Sequence, residues 1–334
     1  VAIILQTTKE ECMVLDPKTE QKYRNQAMML ANRVKKRHGH LRKRFEKENI
    51  EVFRLYDWDI PEIRAAVDWY GGHLVIGEYT RRQSTPEWLP MMGTAVAEAL
   101  GVAPDKVHLK ERFYGKSDGR RYKRINYTNA LIAMSERDLR FYVNPWDYVD
   151  TGLFADHRNT RQMVREAAAD KDFLNLFCYT GSFSCYAAKG GARSSVSVDR
   201  SRTAIEWARK NLVLNGIDSP THRLVQAPVF DFLANAKASR RYFDLAVVDP
   251  PSFYTSRSKN DNFDIAADHP RLLSAVIELM RPGAVIFFST NHQGFQPRWD
   301  QLQAGAVEEI TALTIPEDYV HKRKTIHRCW KITV

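Results

Sequence analysis

Three short stretches hold side chains suited to work on a nucleotide-like ligand. In Phe177-Cys178-Tyr179-Thr180-Gly181-Ser182 a single glycine sits where an apolar run gives way to a helical pattern. A backbone without a Cβ at that turn can approach a ligand closely. The G-x-G-x-x-G pattern is missing, so nothing there is arranged to cradle a pyrophosphate. Asp199, flanked by Arg200 and Ser201, stands eighteen residues on from Gly181. A carboxylate at that offset accepts two hydrogen bonds from ribose hydroxyls; the competing role is to cap the helix that follows. The third stretch is Asp249-Pro250-Pro251-Ser252-Phe253. Two prolines fix φ and remove two amide donors. The result is a stiff loop whose carbonyls and Asp249 can face a base, with Phe253 free to stack on it. At the end of a fourth strand, with a ribose acid on the second, this combination marks methyl transfer.

Missing residues narrow the chemistry further. Carbon-5 of a pyrimidine needs a thiolate to add to the ring before it can accept a methyl group. No cysteine follows Asp249-Pro250-Pro251 or stands in Phe288-Ser289-Thr290-Asn291-His292. Cys178 and Cys185, on the cofactor loop and its helix, read as buried. Guanine N7 carries an exposed lone pair and needs no general base. His157, His292 and His327 could contact a base, against the plainer reading of surface or helix-start residues. Asp249 and a proline-fixed carbonyl could equally accept hydrogen bonds from guanine N2, so the residues alone do not separate N7 from N2.

The elements that must position these groups follow a regular rhythm. After a helix over 156–168 come strands at 173–177, 194–198, 222–226, 244–248 and 284–289, with helices between them. Such alternation gives an α/β fold with a doubly wound parallel sheet. Segments 305–313 and 326–334 lack a long helix between them, which suits an antiparallel edge. Upstream the pattern is α+β. A long helix over 18–48 precedes a strand from Glu51, a hairpin of 65–70 and 73–79 around Gly71-Gly72, and a helix between Pro86 and Gly101. Further strands are expected at 106–113, 122–127 and 139–143, with sheets built from hairpins. Two domains follow, 1–147 and 148–334.

Lys and Arg number 50 against 40 Asp and Glu, a net charge of +10 that favours a polyanionic partner. The excess is clustered. Arg33, Lys35, Lys36, Arg37, Arg42, Lys43, Arg44 and Lys47 face one acid, Glu46. A second cluster includes Lys110, Arg112, Lys116, Arg121, Lys123 and Arg124, with Phe113, Tyr114 and Tyr122 interleaved. Cations hold phosphates and rings offer faces to unpaired bases, so Arg33, Lys35, Lys36, Arg42, Lys43, Arg112, Lys116, Arg121, Lys123 and Arg124 are candidate RNA contacts. Four cysteines without C-x-x-C spacing point to a reduced, cytoplasmic protein without a metal site. No apolar run approaches the roughly 18 residues of a membrane span. The start at Val1 is not a signal peptide, and without an initiator Met it suits a piece of a longer polypeptide.

Several motifs together resemble the bacterial 23S rRNA large-subunit methyltransferases of the K/L family, above all the C-terminal half that makes 7-methylguanine. They are Thr151-Gly-Leu-Phe-Ala-Asp-His-Arg158, Asn175-Leu-Phe-Cys-Tyr-Thr-Gly181, Val198-Asp-Arg-Ser201, Asn211-Leu-Val-Leu-Asn-Gly216, Asp249-Pro-Pro-Ser-Phe253 and His327-Arg-Cys-Trp330. Arg54-Leu-Tyr-Asp57 and Tyr148-Val-Asp150 extend the likeness over nearly the whole chain. The resemblance implies a Rossmann-like class I methyltransferase domain behind an α+β RNA-binding domain, with S-adenosyl-L-methionine as cofactor. It implies Phe154, Asp156, Arg158, Phe177, Tyr179, Thr180, Gly181, Ser182, Asp199, Arg200, Ser201, Ala227 and Asp249 around that cofactor, and Asp249, Pro250, Pro251 and Phe253 at the reacting base. It further implies 23S rRNA or a large-subunit precursor as partner, and an N2-guanine methyltransferase domain, fused or separate. One departure is Gln226-Ala227-Pro228, where the family has an acid that reads adenine. A backbone carbonyl or Asp231 could substitute. The alternative readings are an N2-guanine enzyme and an RNA-binding or remodelling protein with a degenerate site.

Overall fold

The computed structural model describes residues 15–80, 85–113, 124–217, 219–254 and 262–334. Helix α1 (Pro17–Lys47) starts at Asp16, whose Oδ1 accepts from the amides of Lys18 and Thr19 at 3.0 and 3.1 Å. Its stripe of Leu30, Val34, Leu41 and Phe45 is buried, and its remaining face is charged. Strands β1 (Val52–Asp57), β2 (Ala65–Tyr70) and β3 (His73–Thr80) form an antiparallel meander. Gly71 and Gly72, both at positive φ, make the turn that β-carbons would strain. Helix α2 (Trp88–Leu100) then carries the chain across to β4 (Val107–Phe113), which pairs with β3 in parallel. This corrects the expectation of a purely hairpin-built sheet. A thirteen-residue helix is a crossover, and a crossover returns the chain in the same direction. Both helices pack on one face of the sheet.

A second hairpin, β5 (Ile132–Glu136) and β6 (Leu139–Val143), includes a strand the sequence did not reveal, while the described part of the strand expected over 122–127, residues 124–127, is not a strand. Residues 122 and 123 lie outside the described residues; beyond them only an isolated bridge, Arg124 to Tyr148, remains. Asp147 organises this segment instead: its carbonyl accepts from the Ile125 amide at 2.7 Å, and its carboxylate from the amides of Thr128 and Asn129, the Thr128 hydroxyl and the Arg124 guanidinium.

The larger sheet follows in chain order as α3 (Arg158–Glu166), β7 (Asp172–Leu176), α4 (Ser182–Lys189), β8 (Ser194–Asp199), α5 (Arg202–Leu214), β9 (His222–Gln226), α6 (Val229–Ala238) and β10 (Phe243–Val248). A two-residue pair, β11 (Phe253–Tyr254) and β12 (Phe263–Asp264), precedes α7 (Ile265–Ile277), β13 (Met280–Thr290), β14 (Ala306–Glu309), α8 (Thr311–Thr314) and β15 (Arg328–Thr333). The spatial order is β14-β15-β13-β10-β7-β8-β9. The edge is antiparallel as expected, with β15 slotted between β13 and β14. Leu245 and Val247 of β10 face α3 and α4, while Ala246 and Val248 face α6 and α7. Both faces are covered, so the strand reads as a continuous apolar run. Strand order reverses between β7 and β10, and the crevice at their carboxyl ends is where a doubly wound sheet holds its ligand.

Candidate cofactor and catalytic site

The loop leaving β7 is held in a conformation that side chains resist. Phe177, Tyr179 and Gly181 have φ of 57°, 47° and 75°. For the two that are not glycine this costs about 1–2 kcal/mol each. Neighbours fix the loop: the Cys178 amide donates to the Val198 carbonyl at 3.0 Å, the Thr180 hydroxyl to the Gly152 carbonyl at 2.6 Å, and Asn211 Nδ2 to the Thr180 carbonyl at 2.8 Å. Asn211 Oδ1 meanwhile accepts from the Tyr142 amide at 2.9 Å, so one buried amide ties α5 to both β6 and the loop. A Cβ on Gly181 would stand 2.9 Å from that of Ala208, and one on Gly152 would stand 2.3 Å from the Trp207 ring. Both positions need glycine for space as well as for φ.

Asp199 ends β8 beside this loop. Its Oδ2 accepts from the Tyr179 amide at 3.0 Å and its Oδ1 from the Ser201 amide at 2.8 Å. Ser201, not Asp199, caps α5, through the Ala204 amide at 3.2 Å. Two amides occupy about half the acceptor capacity of a carboxylate. Burial raises the Asp199 pKa, against the amides of Ser201 and Tyr179, which lower it. Phe154, 43% exposed, lies 5.3 Å from the Tyr179 ring. Ser182 opens α4, and Arg200 lies 4.8 Å over the Tyr254 ring. The Ala227 amide donates to the Asp199 carbonyl at 3.1 Å. Pro228 stands at the N-cap of α6, with Asp231 exposed in the first turn.

Asp249 leaves β10 across the crevice. The Ser289 hydroxyl donates to its Oδ1 at 2.6 Å, and His157 Nε2 stands 3.6 Å from its Oδ2. Pro250 is buried, Pro251 half-buried, and Phe253 exposed. The Ser252 hydroxyl donates to Asn291 Oδ1 at 2.7 Å. Cys178, Cys185 and Cys329 are buried, and burial pushes the Cys185 thiol up to about 12, so none of them is a ready nucleophile. Cys12 lies outside the described residues.

Two expected cofactor residues are engaged elsewhere. Arg158 is buried, donating to the Val52 carbonyl at 3.0 Å and to Asp318 at 2.5 Å, with Phe45 beneath its guanidinium. These contacts turn it toward the first sheet, since Val52 opens β1 and Asp318 also receives the Arg54 amide. Asp156 is nearly buried and accepts from His327 Nδ1 at 3.0 Å. His157 and His327, read as surface or helix-start residues, are 5% and 1% exposed, and their rings stack 4.2 Å apart at 9°. Insertion of β15 into the sheet brings His327 beside the turn over 155–157, a juxtaposition that pairs no neighbours in sequence. Among the described residues Asp156, His157 and His327 are grouped closely enough for their ligand atoms to share a cation. The lone pairs of two parallel rings, however, lie in parallel planes and do not converge. His292 is half-buried.

The basic candidates divide. Arg33 pairs with Asp59 at 2.6 Å and Arg42 with Glu46 at 2.5 Å, while Lys35, Lys36 and Lys43 are exposed without an ion pair among the described residues. Arg124 is pinned to Asp147 at 2.9 Å and lies 4.6 Å over the exposed Tyr127 ring. Arg112 stands on β4; Lys116, Arg121 and Lys123 lie outside the described residues.

The chain belongs to the S-adenosylmethionine-dependent methyltransferases, whose family model matches residues 66–318. Within that class it falls with the large-subunit ribosomal RNA methyltransferases K and K/L. It is 42% identical over 307 residues to "Ribosomal RNA large subunit methyltransferase K" of Neisseria meningitidis serogroup B, covering 90% of this chain and 86% of that one. It is 40% identical over 315 residues to "Ribosomal RNA large subunit methyltransferase K/L" of Magnetococcus marinus, covering 92% of this chain and 43% of that longer protein. Among solved structures, a methyltransferase complexed with SAH superposes with a TM-score of 0.72 at 21% identity, over 93% of this chain and 82% of its own. A Streptococcus mutans protein described as SAM-dependent gives 0.70 at 21%, over 93% and 81%. The strained loop backed by a carboxylate with unused lone pairs fits S-adenosylmethionine, the cofactor of the family.

Proposed function

We propose that the chain methylates N7 of a guanine in 23S rRNA, on naked RNA or on a large-subunit precursor. Residues 1–147 grip the RNA and 148–334 carry the reaction. The carrying observation is the Asp249-Pro250-Pro251 loop at the switch point, one strand removed from Asp199 and without a cysteine, in a chain 42% identical to a large-subunit methyltransferase K. When bound, S-adenosylmethionine supplies a methyl group on a positively charged sulfur. Asp199 accepts the ribose hydroxyls, Phe154 and Tyr179 wall the site, and Ala227 or Asp231 stands at the adenine end. Asp249, fixed by Ser289, and the proline-stiffened carbonyls hold the base, while Phe253 offers it a face. Positioning accounts for much of the rate in such an in-line displacement, and N7 has no proton to lose. A second methyltransferase domain, fused or separate, is a further partner in this reading.

Guanine N2 is the second reading, favoured by His157 behind Asp249, because N2 must shed a proton. Product analysis separates the two. Stripped 23S rRNA treated with the protein and cofactor, then with borohydride and aniline, should break at one new site, since 7-methylguanine weakens its glycosidic bond. Asp249→Asn should keep measurable activity, because the side chain places a base and removes no proton. Radiolabel in N2-methylguanine without a new break would overturn the N7 reading.

A further inference from the structure

Behind Asp249 lies a buried group for which methyl transfer to N7 has no use. The His327 ring is fixed at both nitrogens: Nδ1 donates to Asp156 Oδ2 at 3.0 Å, since a carboxylate only accepts, and Nε2 is 3.1 Å from the Thr314 hydroxyl. His157 lies flat on that ring, with Phe183 edge-on at 5.7 Å. Its Nε2 points between two carboxylates, 3.6 Å from Asp249 Oδ2 and 3.8 Å from Asp156 Oδ2. Its Nδ1 is buried and has no partner among the described residues. Burying an imidazole without a short hydrogen bond is unfavourable, so packing alone would favour an apolar side chain here.

We propose that His157, held by the Asp156–His327 pair, is a positioning residue that orients the Asp249 carboxylate toward the acceptor base. The inference rests on the methyltransferase reading of the site. The charged and titratable groups around His157 are Asp156, Asp249, His327 and Arg161. Burial, then His327, holds the imidazole below its usual pKa, although both carboxylates pull it upward. A neutral ring carries one N–H. On Nε2 it faces Asp249, and the unpartnered Nδ1 is then a bare lone pair. The present 3.6 Å is longer than a hydrogen bond. A small rotation of the Asp249 carboxylate about its Ser289 contact, on a proline-fixed backbone, brings the two within reach, as catalytic contacts tighten in the substrate complex. With Oδ1 on Ser289 and Oδ2 on His157, the carboxylate has one orientation left.

Two amide substitutions separate this role from simple packing. The Nε2 of glutamine reproduces the position of the histidine Nε2, whereas the Nδ2 of asparagine reproduces only Nδ1. Full-length H157Q should therefore keep kcat on 23S rRNA within about threefold of wild type, and H157N should lose at least tenfold. Cofactor affinity and KM for RNA should hold within threefold in both. In a D249N background the asparagine should cause no further loss. An activity-independent readout is the 13C carboxyl resonance of Asp249, assigned by its disappearance in D249N. It should shift in H157N and stay in place in H157Q. Equal effects of the two amides, an additive loss in the D249N background, or an unmoved resonance in H157N would overturn the proposal. If the resonance shifts in H157N and stays in place in H157Q, yet the wild type methylates no rRNA, the functional reading fails and the positioning role stands. Should H157N not fold, H157Q losing tenfold while folded overturns the proposal by itself.

Discussion

Asp199 shows how one side chain can serve structure and ligand together. Its carboxylate pins Tyr179 and Ser201 by their amides, holding two loops in register, and retains lone pairs for a ribose. Asp199→Ala should raise the cofactor dissociation constant about a hundredfold in calorimetry, about 3 kcal/mol for two hydrogen bonds to a charged acceptor. It should also lower the melting temperature, since two amides lose their partner. Affinity within threefold of wild type in the folded variant would remove Asp199 from the site. The pH dependence has a definite sign. Burial raises this carboxyl, so protonation begins at a higher pH than for an ordinary Asp. A protonated acid accepts ribose hydroxyls poorly, so wild-type affinity should fall as pH drops into that window, and the alanine variant should show no such fall.

At the level of elements, α1 and α5 are specialised on opposite grounds. On α5, Asn211 and Asn215 sit one turn apart and clamp the backbone of β6, Asn215 taking both the amide and the carbonyl of Arg140 at 2.9 and 2.7 Å. An open strand edge is thereby satisfied by side chains. On α1 the buried stripe faces the sheet and leaves Lys35, Lys36 and Lys43 outward. Replacing these three and Arg42 by alanine should weaken RNA binding while sparing cofactor affinity. At roughly 0.7–0.9 per phosphate contact, the log–log salt slope should fall by about two to three units. The lower end applies if Arg42 stays with Glu46. A slope unchanged in binding titrations from low to moderate salt would make this face ordinary solvated surface.

Across the whole molecule, buried charges join the first sheet to the methyltransferase fold. Arg54 pairs with Asp68 at 2.7 Å and Asp57 at 3.0 Å, and Lys324 reaches Asp57 at 2.8 Å. Asp318 receives the Arg54 amide at 3.0 Å and the Arg158 guanidinium. Burial pushes the Asp318 carboxyl up in spite of Arg158. Nearby, Arg161 and Glu136 form a fully buried two-pronged pair at 2.7 and 2.8 Å. Deleting one partner of such a pair strands the other, at about 3–5 kcal/mol, whereas replacing both by apolar groups can be nearly neutral. Asp318→Leu should therefore lower stability by about that amount in urea unfolding, and the double variant R158M/D318L should recover most of the loss. A double variant as unstable as the single one would show that the charges carry specific stability of their own.

What the sequence determined by itself were properties written in local patterns. The alternation of strand and helix after residue 156, the single glycine at 181 and the acid eighteen residues on are periodicities and offsets, so the doubly wound sheet and the Asp199 and Asp249 loops were legible before any coordinates. The short strand β5 was not, because Ile132-Ala-Met-Ser-Glu136 has one β-branched residue and no aromatic among residues that favour helix or turn, and neither was the parallel return of β4. Only the tertiary structure decided how Arg158 and Asp156 are used. Side chains two residues apart in one motif leave the backbone in different directions, one toward Asp318 and the first sheet, the other toward His327. It also decided that His157 and His327, 170 residues apart, stack behind Asp249. That contact exists because β15 enters the sheet between two other strands, and strand order is set by which faces bury best together, a long-range free energy that no window of sequence contains.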